Sequence, residues 1–296
     1  MGTACIELRP GACLTTMPAS ARPIVFLSDF GPGNEWVGIC HSVMSRVSPQ
    51  SPIVDLSHLI RPLEVVSGAL LLADSMPYIA EDAVALAVVD PNVGKDREVA
   101  IETGSGRHLV GPDNGLLSLA WEAAGGVRTA VEITSSEVIR QPRAESFRAP
   151  DTLCPAAAQL ALGMPIERLG PPLDPTTLVV LTMAEPEHER GKIVCEVIDF
   201  NRFGNVHLNV RPAHLAAAGL DGVPALAIGA TSRSVRARRG STYADFLASE
   251  YGLIFDPRGW LTIVRGNPAS ALEGLGLAIG DPVWISELTE SGEIES

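Results

Sequence analysis

Residues 83–90, Ala-Val-Ala-Leu-Ala-Val-Val-Asp, decide the fold of this chain. A continuous apolar run of this length is typical of a strand covered on both faces, as in the sheets of α/β proteins. The run ends at Asp90, and the turn-forming sequence Pro91-Asn92-Val93-Gly94 follows it. A second apolar run, residues 24–27, ends in a similar way at Ser28-Asp29-Phe30-Gly31. Each run therefore predicts a buried strand that leads directly to a carboxylate.

Strands and helices alternate on either side of these two runs. The apolar spacing predicts strands at 24–27, 53–56, 83–89, 99–101 and 108–110, and helices at 35–47, 64–76, 115–124 and 152–162. This alternation predicts a three-layer α/β domain.

The pattern changes near residue 170, where prolines interrupt regular structure. Short predicted strands follow at 192–199, 205–210, 225–228, 260–264 and 282–286. They favour a smaller C-terminal β-barrel or sandwich. We therefore expect an N-terminal extension at 1–21, an α/β domain at 22–180 and a β-barrel domain at 190–290. The basic run Arg233, Arg236, Arg238 and Arg239 is interpreted as a solvated loop.

Composition excludes several classes of protein. The chain has 296 residues and a formal net charge of −13, so general electrostatics disfavour nucleic acid. Its five cysteines are scattered and form no CxxC pair, so we expect neither a disulfide framework nor a zinc site. No apolar run approaches the roughly 18 residues that span a membrane, and residues 1–21 do not resemble a signal peptide. We expect a cytoplasmic protein with no metal and no cofactor, since dinucleotide, Walker A and HExxH motifs are also missing from the sequence.

Asp29 and Asp90 are the first candidate site residues, because ligands of α/β sheets bind beyond the carboxyl ends of the strands. Asp29 could accept hydrogen bonds from a ribose diol, or it could cap a helix. Asp90 could hold a water while Arg97 orients it, or the two could form a structural pair that closes a turn.

Three further segments are candidates. Gly111-Pro112-Asp113-Asn114-Gly115 is interpreted mainly as a structural turn and cap. Asp199 with Phe203-Gly204-Asn205 could bind a polar ligand or form a β-turn. Arg258 and Arg265 bracket one strand, where one of them could clamp a carboxylate or both could be solvated.

In order, these segments resemble one family, which contains the S-adenosylmethionine hydrolases (hydroxide adenosyltransferases) and the fluorinase and chlorinase enzymes. The resemblance spans residues 23–285. The matching blocks are Ser28 to Gly31, Ile53 to His58, Pro62 to Ala69, Val88 to Gly94 with Arg97, Gly111 to Leu117, Ser146-Phe147 with Asp151, Asp199, Phe203 to Asn205, and Arg258 to Arg265.

The resemblance implies an α/β domain joined to a β-barrel, in subunits that form trimers. The substrate would lie between one subunit's N-terminal domain and its neighbour's C-terminal domain. Asp29 would hold the ribose hydroxyls. Arg258 and Arg265 would both lie near the methionine end, and Arg258 is the candidate anchor for its carboxylate. The remaining implied substrate contacts are Leu63, Val93, Ala149, Asp199, Phe203 and Asn205.

The nucleophile depends on Asp90, Arg97 and the position of Arg148. Hydrolases of the family carry an Asp, an Arg and a His around the attacking water, whereas the halogenases have a Tyr where Asp90 stands. The fluorinase also has a Thr at the position of Val93. A carboxylate repels a halide and binds water, so the resemblance implies hydrolysis of S-adenosylmethionine to adenosine and methionine.

Arg148 departs from this pattern, because the family's His-Gly-Arg-Asp is replaced by Arg148-Ala149-Pro150-Asp151. An arginine stays protonated and cannot act as a base. Three alternatives follow. In the first, Asp90 alone polarises the water. In the second, Arg148 neutralises Asp90 and admits chloride or another anion. In the third, the site is impaired and binds S-adenosylmethionine or adenosine without turnover.

Overall fold

The structure, a computed structural model, describes residues 21–142, 146–230, 233–266 and 268–288. The chain divides into two compact units. The first comprises the residues up to Gly68 together with Ser75–Val179, and the second comprises Ala69–Asp74 together with the residues from Val180 onward. Residues 1–20 of the expected extension, including Cys5 and Cys13, lie outside the described residues. Within the described part of the chain, no helix has the length and apolar character needed to cross a bilayer.

The first unit contains a six-stranded sheet. Its strands are β1 (Ile24–Ser28), β2 (Ile53–Ser57), β3 (Val84–Val88), β4 (Glu98–Thr103), β5 (His108–Pro112) and β6 (Val127–Glu132). They are arranged in the order β2-β1-β3-β5-β4-β6. Strands β2, β1, β3 and β5 are parallel to one another, whereas β4 runs antiparallel to its neighbours β5 and β6.

The helices of the first unit are α1 (Glu35–Val47), α3 (Ser118–Ala123) and α4 (Cys154–Ala161), and a π-helical turn at Ala149–Leu153 precedes α4. Helix α2 (Val65–Ser75) is divided between the two units. Helix α4 packs on α1 and on strands β1, β3 and β5. All five residues of β3 are buried, as the apolar run predicted. The predicted α/β class is confirmed, and Cys40 and Cys154 are buried core residues as expected.

The second unit is a closed barrel. Its strands are β7 (Glu187–Glu189), β8 (Lys192–Phe200), β9 (Val206–Leu208), β10 (Ala225–Ala230), β11 (Arg233–Arg239), β12 (Tyr251–Phe255), β13 (Leu261–Arg265) and β14 (Pro282–Glu287), with short helices α5 (Pro212–Ala217) and α6 (Ala271–Leu275). Seven strands close in the order β14-β10-β11-β12-β13-β9-β8, because β14 also pairs with β8, and β7 extends the sheet from β8. The barrel prediction is confirmed.

The interpretation of the basic run as a loop was wrong. Residues Arg233–Arg239 form β11, a central strand between β10 and β12. Ala237 on this strand is fully buried, whereas Arg238 pairs with Glu250 at 2.8 Å and covers the ring of Phe246. Long arginine side chains can lie along a barrel wall with their charged ends in water. A run of charged residues can therefore form a strand, although its sequence resembles a loop.

Candidate functional site

Strand register brings Asp29 and Asp90 to one edge of the sheet. Strands β1 and β3 are neighbouring and parallel, and Ser28 pairs with Val88. Asp29 directly follows Ser28, and Asp90 stands two residues beyond Val88. Two carboxylates therefore emerge side by side at the carboxyl ends of adjacent strands, where α/β sheets bind ligands.

A cavity of about 210 Å³ opens at this edge. Six residues predicted from the sequence line it: Asp29, Leu63, Asp90, Val93, Arg148 and Ala149. The structure thus brings together all the first-unit candidates except Arg97. A space of this size, lined by apolar and charged side chains, suits part of a small organic ligand.

The Asp29 side chain is held by the backbone of Leu63. The Leu63 N–H donates to Asp29 Oδ2 at 3.0 Å. Leu63 has a φ of 69°, a left-handed conformation that is costly for a leucine. Such a conformation persists only where the surroundings fix it, which is common in ligand sites. The hydrogen bond orients the carboxylate and leaves it one oxygen that no described residue occupies.

Asp90 has an unusual electrostatic environment. Its Oδ1 accepts the Asn92 backbone N–H at 2.8 Å, which anchors the turn after β3. Burial raises the pKa of Asp90, and the negative charges of Asp96 and Asp29 raise it further, although the Asn92 hydrogen bond opposes them. Desolvation and repulsion both disfavour the charged form. A carboxylate held this way is a stronger proton acceptor than an exposed one.

Arg97 contacts a different carboxylate from the one expected. Its Nε and Nη2 donate to Asp113 Oδ2 at 3.1 and 2.5 Å, and Nη2 also donates to the Thr177 carbonyl at 2.7 Å. Asp113 Oδ1 accepts the Val179 N–H at 2.9 Å. Among the described residues, no hydrogen bond joins Arg97 to Asp90. The Gly111–Gly115 segment, interpreted as structural, thus supplies the partner of Arg97.

Arg148 lines the same cavity as Asp90. Its Nη2 approaches the Gly94 carbonyl at 3.4 Å, in the turn that follows Asp90. The next residue, Ala149, begins the π-helical turn and is buried. The guanidinium therefore stands at the position where the resemblance predicts a histidine, close to the loop that carries the candidate base.

Sequence reasoning missed several residues of this cavity. Glu98 is buried at the start of β4 and lines it. Phe30 and Phe147 also line it, with ring centroids 5.1 Å apart, and Trp36 packs on Phe147 at 4.3 Å. A charged residue at the first position of an apolar strand was the signal that could have identified Glu98.

A second cavity, of about 290 Å³, lies in the second unit. Its lining includes three predicted residues, Phe203, Asn205 and Arg265, and also Asn201 and Tyr243. Phe203 is 70% exposed, whereas Asn205 is buried. An exposed aromatic face beside an amide and a guanidinium can stack on and hydrogen-bond a planar heterocycle.

The turn between β8 and β9 shapes this second cavity. Asn201 Oδ1 accepts the backbone N–H groups of Phe203 and Asn205, at 2.9 and 3.2 Å. Gly204 has a φ of 74°, and a Cβ there would collide with Ser270. Only glycine fits, so the β-turn alternative is confirmed, and the binding alternative stays a prediction. Asp199 stands at the base of the same hairpin, paired with His207.

Arg258 is engaged by carboxylates of the second unit. Its Nε donates to Asp256 at 2.7 Å, and its Nη1 donates to Asp74 at 3.2 Å. Burial raises the pKa of Asp74, although the positive charge of Arg258 opposes this. Burial also lowers the pKa of the neighbouring His207 to about 4. Arg258 is absent from the lining of the described second cavity, and Arg265 is present there.

Comparison with known proteins finds relatives that match most of the chain. The family model described as "SAM hydroxide adenosyltransferase N-terminal domain" matches residues 24–170. A Salinispora tropica protein named (R)-S-adenosyl-L-methionine hydrolase is 38% identical over 272 residues, which cover 89% of this chain and 97% of that one. A Thermus thermophilus protein of the same name is 35% identical, covering 88% of this chain and 98% of that one.

A fluorinase from an Actinoplanes species is more distant, at 27% identity over 69% of this chain and 77% of its own. Among solved structures, an uncharacterized conserved protein from Thermotoga maritima matches with a TM-score of 0.82 at 28% identity, covering 89% of this chain and 100% of that one.

Proposed function

Because this chain belongs to the SAM hydroxide adenosyltransferase family, it is an S-adenosyl-L-methionine hydrolase, and we propose that the carboxylate of Asp90 binds and polarises the attacking water. The observation that carries this proposal is the position of Asp90 in the cavity beside Asp29. Two neighbouring carboxylates allow a division of roles, in which one binds ribose hydroxyls and the other binds water.

The reaction breaks the bond between C5′ and the sulfonium sulfur. The water oxygen attacks C5′, and the electron pair of the C5′–S bond moves to sulfur, which becomes the neutral thioether of methionine. The water gives one proton to the carboxylate of Asp90, and adenosine, which carries the new 5′-hydroxyl, is the second product. Because the sulfonium is already a good leaving group, the protein mainly has to align water, C5′ and sulfur and exclude other water. The proposal assigns no step to a cofactor or metal.

Asp90 suits the task of holding the water. Partial burial and the nearby charges of Asp96 and Asp29 raise its pKa, so its carboxylate accepts a hydrogen bond from water more strongly. Oδ1 accepts the Asn92 N–H, which fixes the side chain in the turn after β3. Arg97 is then a positioning residue: by binding Asp113 it fixes the end of the loop that starts at Asp90.

Asp29 is proposed to hold the ribose, because a carboxylate oxygen can accept both hydroxyls of a diol. Val93, Leu63 and Ala149 supply apolar contacts around the sugar. In the second unit we propose that Phe203 and Asn205 contact the adenine, and that Arg265 or Asp199 contacts the polar end of methionine. Arg258, already bound by two carboxylates, is the less suitable of the two arginines for a substrate carboxylate.

Arg148 supports a second candidate function. A guanidinium at the edge of the cavity can attract an anion, so chloride or another halide could replace water and give a 5′-halo-5′-deoxyadenosine. The carboxylate of Asp90 opposes this, because it repels an anion at the same place. Water therefore remains the proposed nucleophile.

The test is to incubate pure protein with S-adenosylmethionine in ¹⁸O-labelled water, with and without halide salts, and to identify products by chromatography and mass spectrometry. Adenosine carrying one ¹⁸O atom supports attack of water at C5′. Unlabelled adenosine, or a halogenated nucleoside, contradicts it. Protein-free incubations correct for spontaneous breakdown of the substrate. If the protein binds S-adenosylmethionine without turnover, the active-site proposal fails and the impaired alternative holds.

We also propose that the chain forms a homotrimer in which a neighbouring subunit completes each site, as the family resemblance implies. Sedimentation measures the assembly. Co-expression of Asp90→Asn chains with Asn205→Ala chains tests the sharing of sites. Mixed trimers regain activity if one subunit's Asp90 works with its neighbour's Asn205. If the mixed trimers are no more active than the two variants alone, Asp90 and Asn205 act within one chain.

A further inference from the structure

Three side chains of the first unit converge at a place that the proposed reaction does not use. His41 comes from α1, Asp55 from β2, and His58 from the loop after β2. His41 Nε2 lies 2.7 Å from Asp55 Oδ1, and His58 Nε2 lies 3.1 Å from the same oxygen. All three ligand atoms lie within 4.8 Å of one another. None of the three residues lines the cavity described above.

We propose that His41, Asp55 and His58 bind a zinc ion, with water in the fourth position. Two imidazoles and one carboxylate form a donor set that Zn²⁺ favours. At Zn–N and Zn–O distances of about 2.0–2.2 Å, tetrahedral ligand atoms are about 3.3 Å apart. The His58–Asp55 distance is already close to this, and the His41–Asp55 distance must widen by about 0.6 Å. His41 and Asp55 are 33% and 42% exposed, so they have room to move.

The surroundings of His58 support a metal more than a simple hydrogen-bonded cluster. Its Nδ1 lies 2.7 Å from the hydroxyl of Ser28, and its ring packs on Phe26 at 4.7 Å. A partner on one ring nitrogen sets the orientation of a metal-binding imidazole. The other nitrogen, Nε2, is buried, and no described residue gives it a well-aligned hydrogen bond. When Nδ1–H donates to Ser28, the Nε2 lone pair faces a carboxylate, and a cation between them removes the repulsion.

Asp55 is prepared to act as an anionic ligand. Partial burial raises its pKa, but the two histidines outweigh this and lower the pKa overall. Its exposed side faces solvent, which supplies the water ligand and a route for the ion.

The ion would brace the loop that carries Asp29. The Gly31 N–H donates to the His58 carbonyl at 2.9 Å, and Ser28 directly precedes Asp29. A metal that fixes His58 therefore stabilises the end of β1. This role is structural, and the zinc proposal does not depend on the nucleophile in the reaction.

The experiment uses the full chain without an affinity tag, stripped with a chelator and kept reduced. Zinc is titrated against a chromophoric competitor. We expect one ion per chain, and an affinity loss in His41→Gln and Asp55→Asn that exceeds the roughly 10–100-fold typical of outer-shell partners. Both residues are partly exposed, so these variants should fold even if His58→Gln does not. His188→Gln is the matched control, because His188 is flanked by Glu187 and Glu189 at another exposed place.

Cobalt replaces zinc in a second measurement. Tetrahedral Co²⁺ should give visible d–d bands without an intense near-ultraviolet thiolate band, and His41→Gln should abolish them. A thiolate band would show that cysteines such as Cys5 or Cys13 bind the ion, which overturns the proposal. Zinc should also raise the thermal midpoint of the natural protein and of His188→Gln, but not that of His41→Gln. Equal affinity in all variants would likewise overturn it.

Discussion

Arg97 donates two hydrogen bonds to a single oxygen of Asp113, at 3.1 and 2.5 Å. The Asp113 side chain is 2% exposed and that of Arg97 is 35% exposed. The antiparallel pairing of β4 and β5 causes this contact: Glu98 pairs with Pro112, and the Asp113 N–H donates to the Arg97 carbonyl. The pair closes the loop that starts at Asp90.

Replacing Arg97 by Ala should destabilise the protein, because Asp113 would keep a buried charge without its partner. We expect the free energy of unfolding to fall by about 2–3 kcal/mol, below the 3–5 kcal/mol of a fully buried pair because Arg97 is partly exposed. Arg128→Ala, which breaks an exposed pair with Glu102, should cost about 0–1 kcal/mol. Urea unfolding measures both. Equal losses would show that the Asp113 contact contributes no more than a surface pair.

Asp90→Asn should reduce kcat and leave substrate binding almost unchanged. The amide keeps the shape but is a weaker acceptor for the water, so we expect a loss of about 10²–10³-fold. Asp29→Asn is the matched contrast, because it should weaken binding of adenosine and raise KM. Turnover assays and calorimetric titration separate the effects. Unchanged turnover in Asp90→Asn would remove this residue from the mechanism.

The raised pKa of Asp90 predicts an acid limb in the activity profile. The carboxylate is the active form, so activity falls as the pH drops through this pKa, which lies above the ordinary aspartate value of 3.8. Asp96→Asn removes a neighbouring negative charge, so the limb should move to lower pH. The exposed Asp82→Asn serves as the control. A pH profile of kcat/KM checks this, and an unmoved limb in Asp96→Asn would contradict it.

The same pKa has a consequence for stability. Because folding raises the pKa of Asp90, the protonated side chain stabilises the folded state. This stabilisation is fully present below the pKa that Asp90 has in the unfolded chain, and it is lost as the pH rises through its pKa in the folded protein. At neutral pH the carboxylate therefore costs stability, and Asp90→Asn should raise the urea midpoint. The gain should disappear in acid. A midpoint that falls at neutral pH would show that the charged form is stabilised by contacts.

The sequence predicted that Asp29 and Asp90 each follow an apolar strand, and the parallel register of β1 and β3 then brings them to one edge of the sheet. It did not predict the partner of Arg97, because spacing along the chain favours Asp90, seven residues away, over Asp113, sixteen away. Only the antiparallel course of β4 and β5 brings the latter close.

Two other features depended on tertiary structure. The strand β6 was not predicted, since Arg128, Thr129 and Glu132 give it a polar pattern at the sheet edge. The cluster of His41, Asp55 and His58 has no recognised spacing, and it forms because α1 lies beside the edge strand β2.

Arg148→His tests whether the natural arginine limits hydrolysis. The guanidinium cannot accept a proton, whereas a neutral imidazole near the Gly94 turn could share the water's proton with Asp90. We therefore expect kcat for adenosine formation to rise, and the formation of any halogenated product to fall, because a permanent positive charge is lost. Arg140→His is the matched control and should leave both rates unchanged, because Arg140 is half exposed and pairs with Asp151 of the π-helical turn. Product ratios at several chloride concentrations measure the effect. A fall in hydrolysis in Arg148→His alone would mean that Arg148 itself orients the water or the substrate, and that the departure from the family pattern is functional.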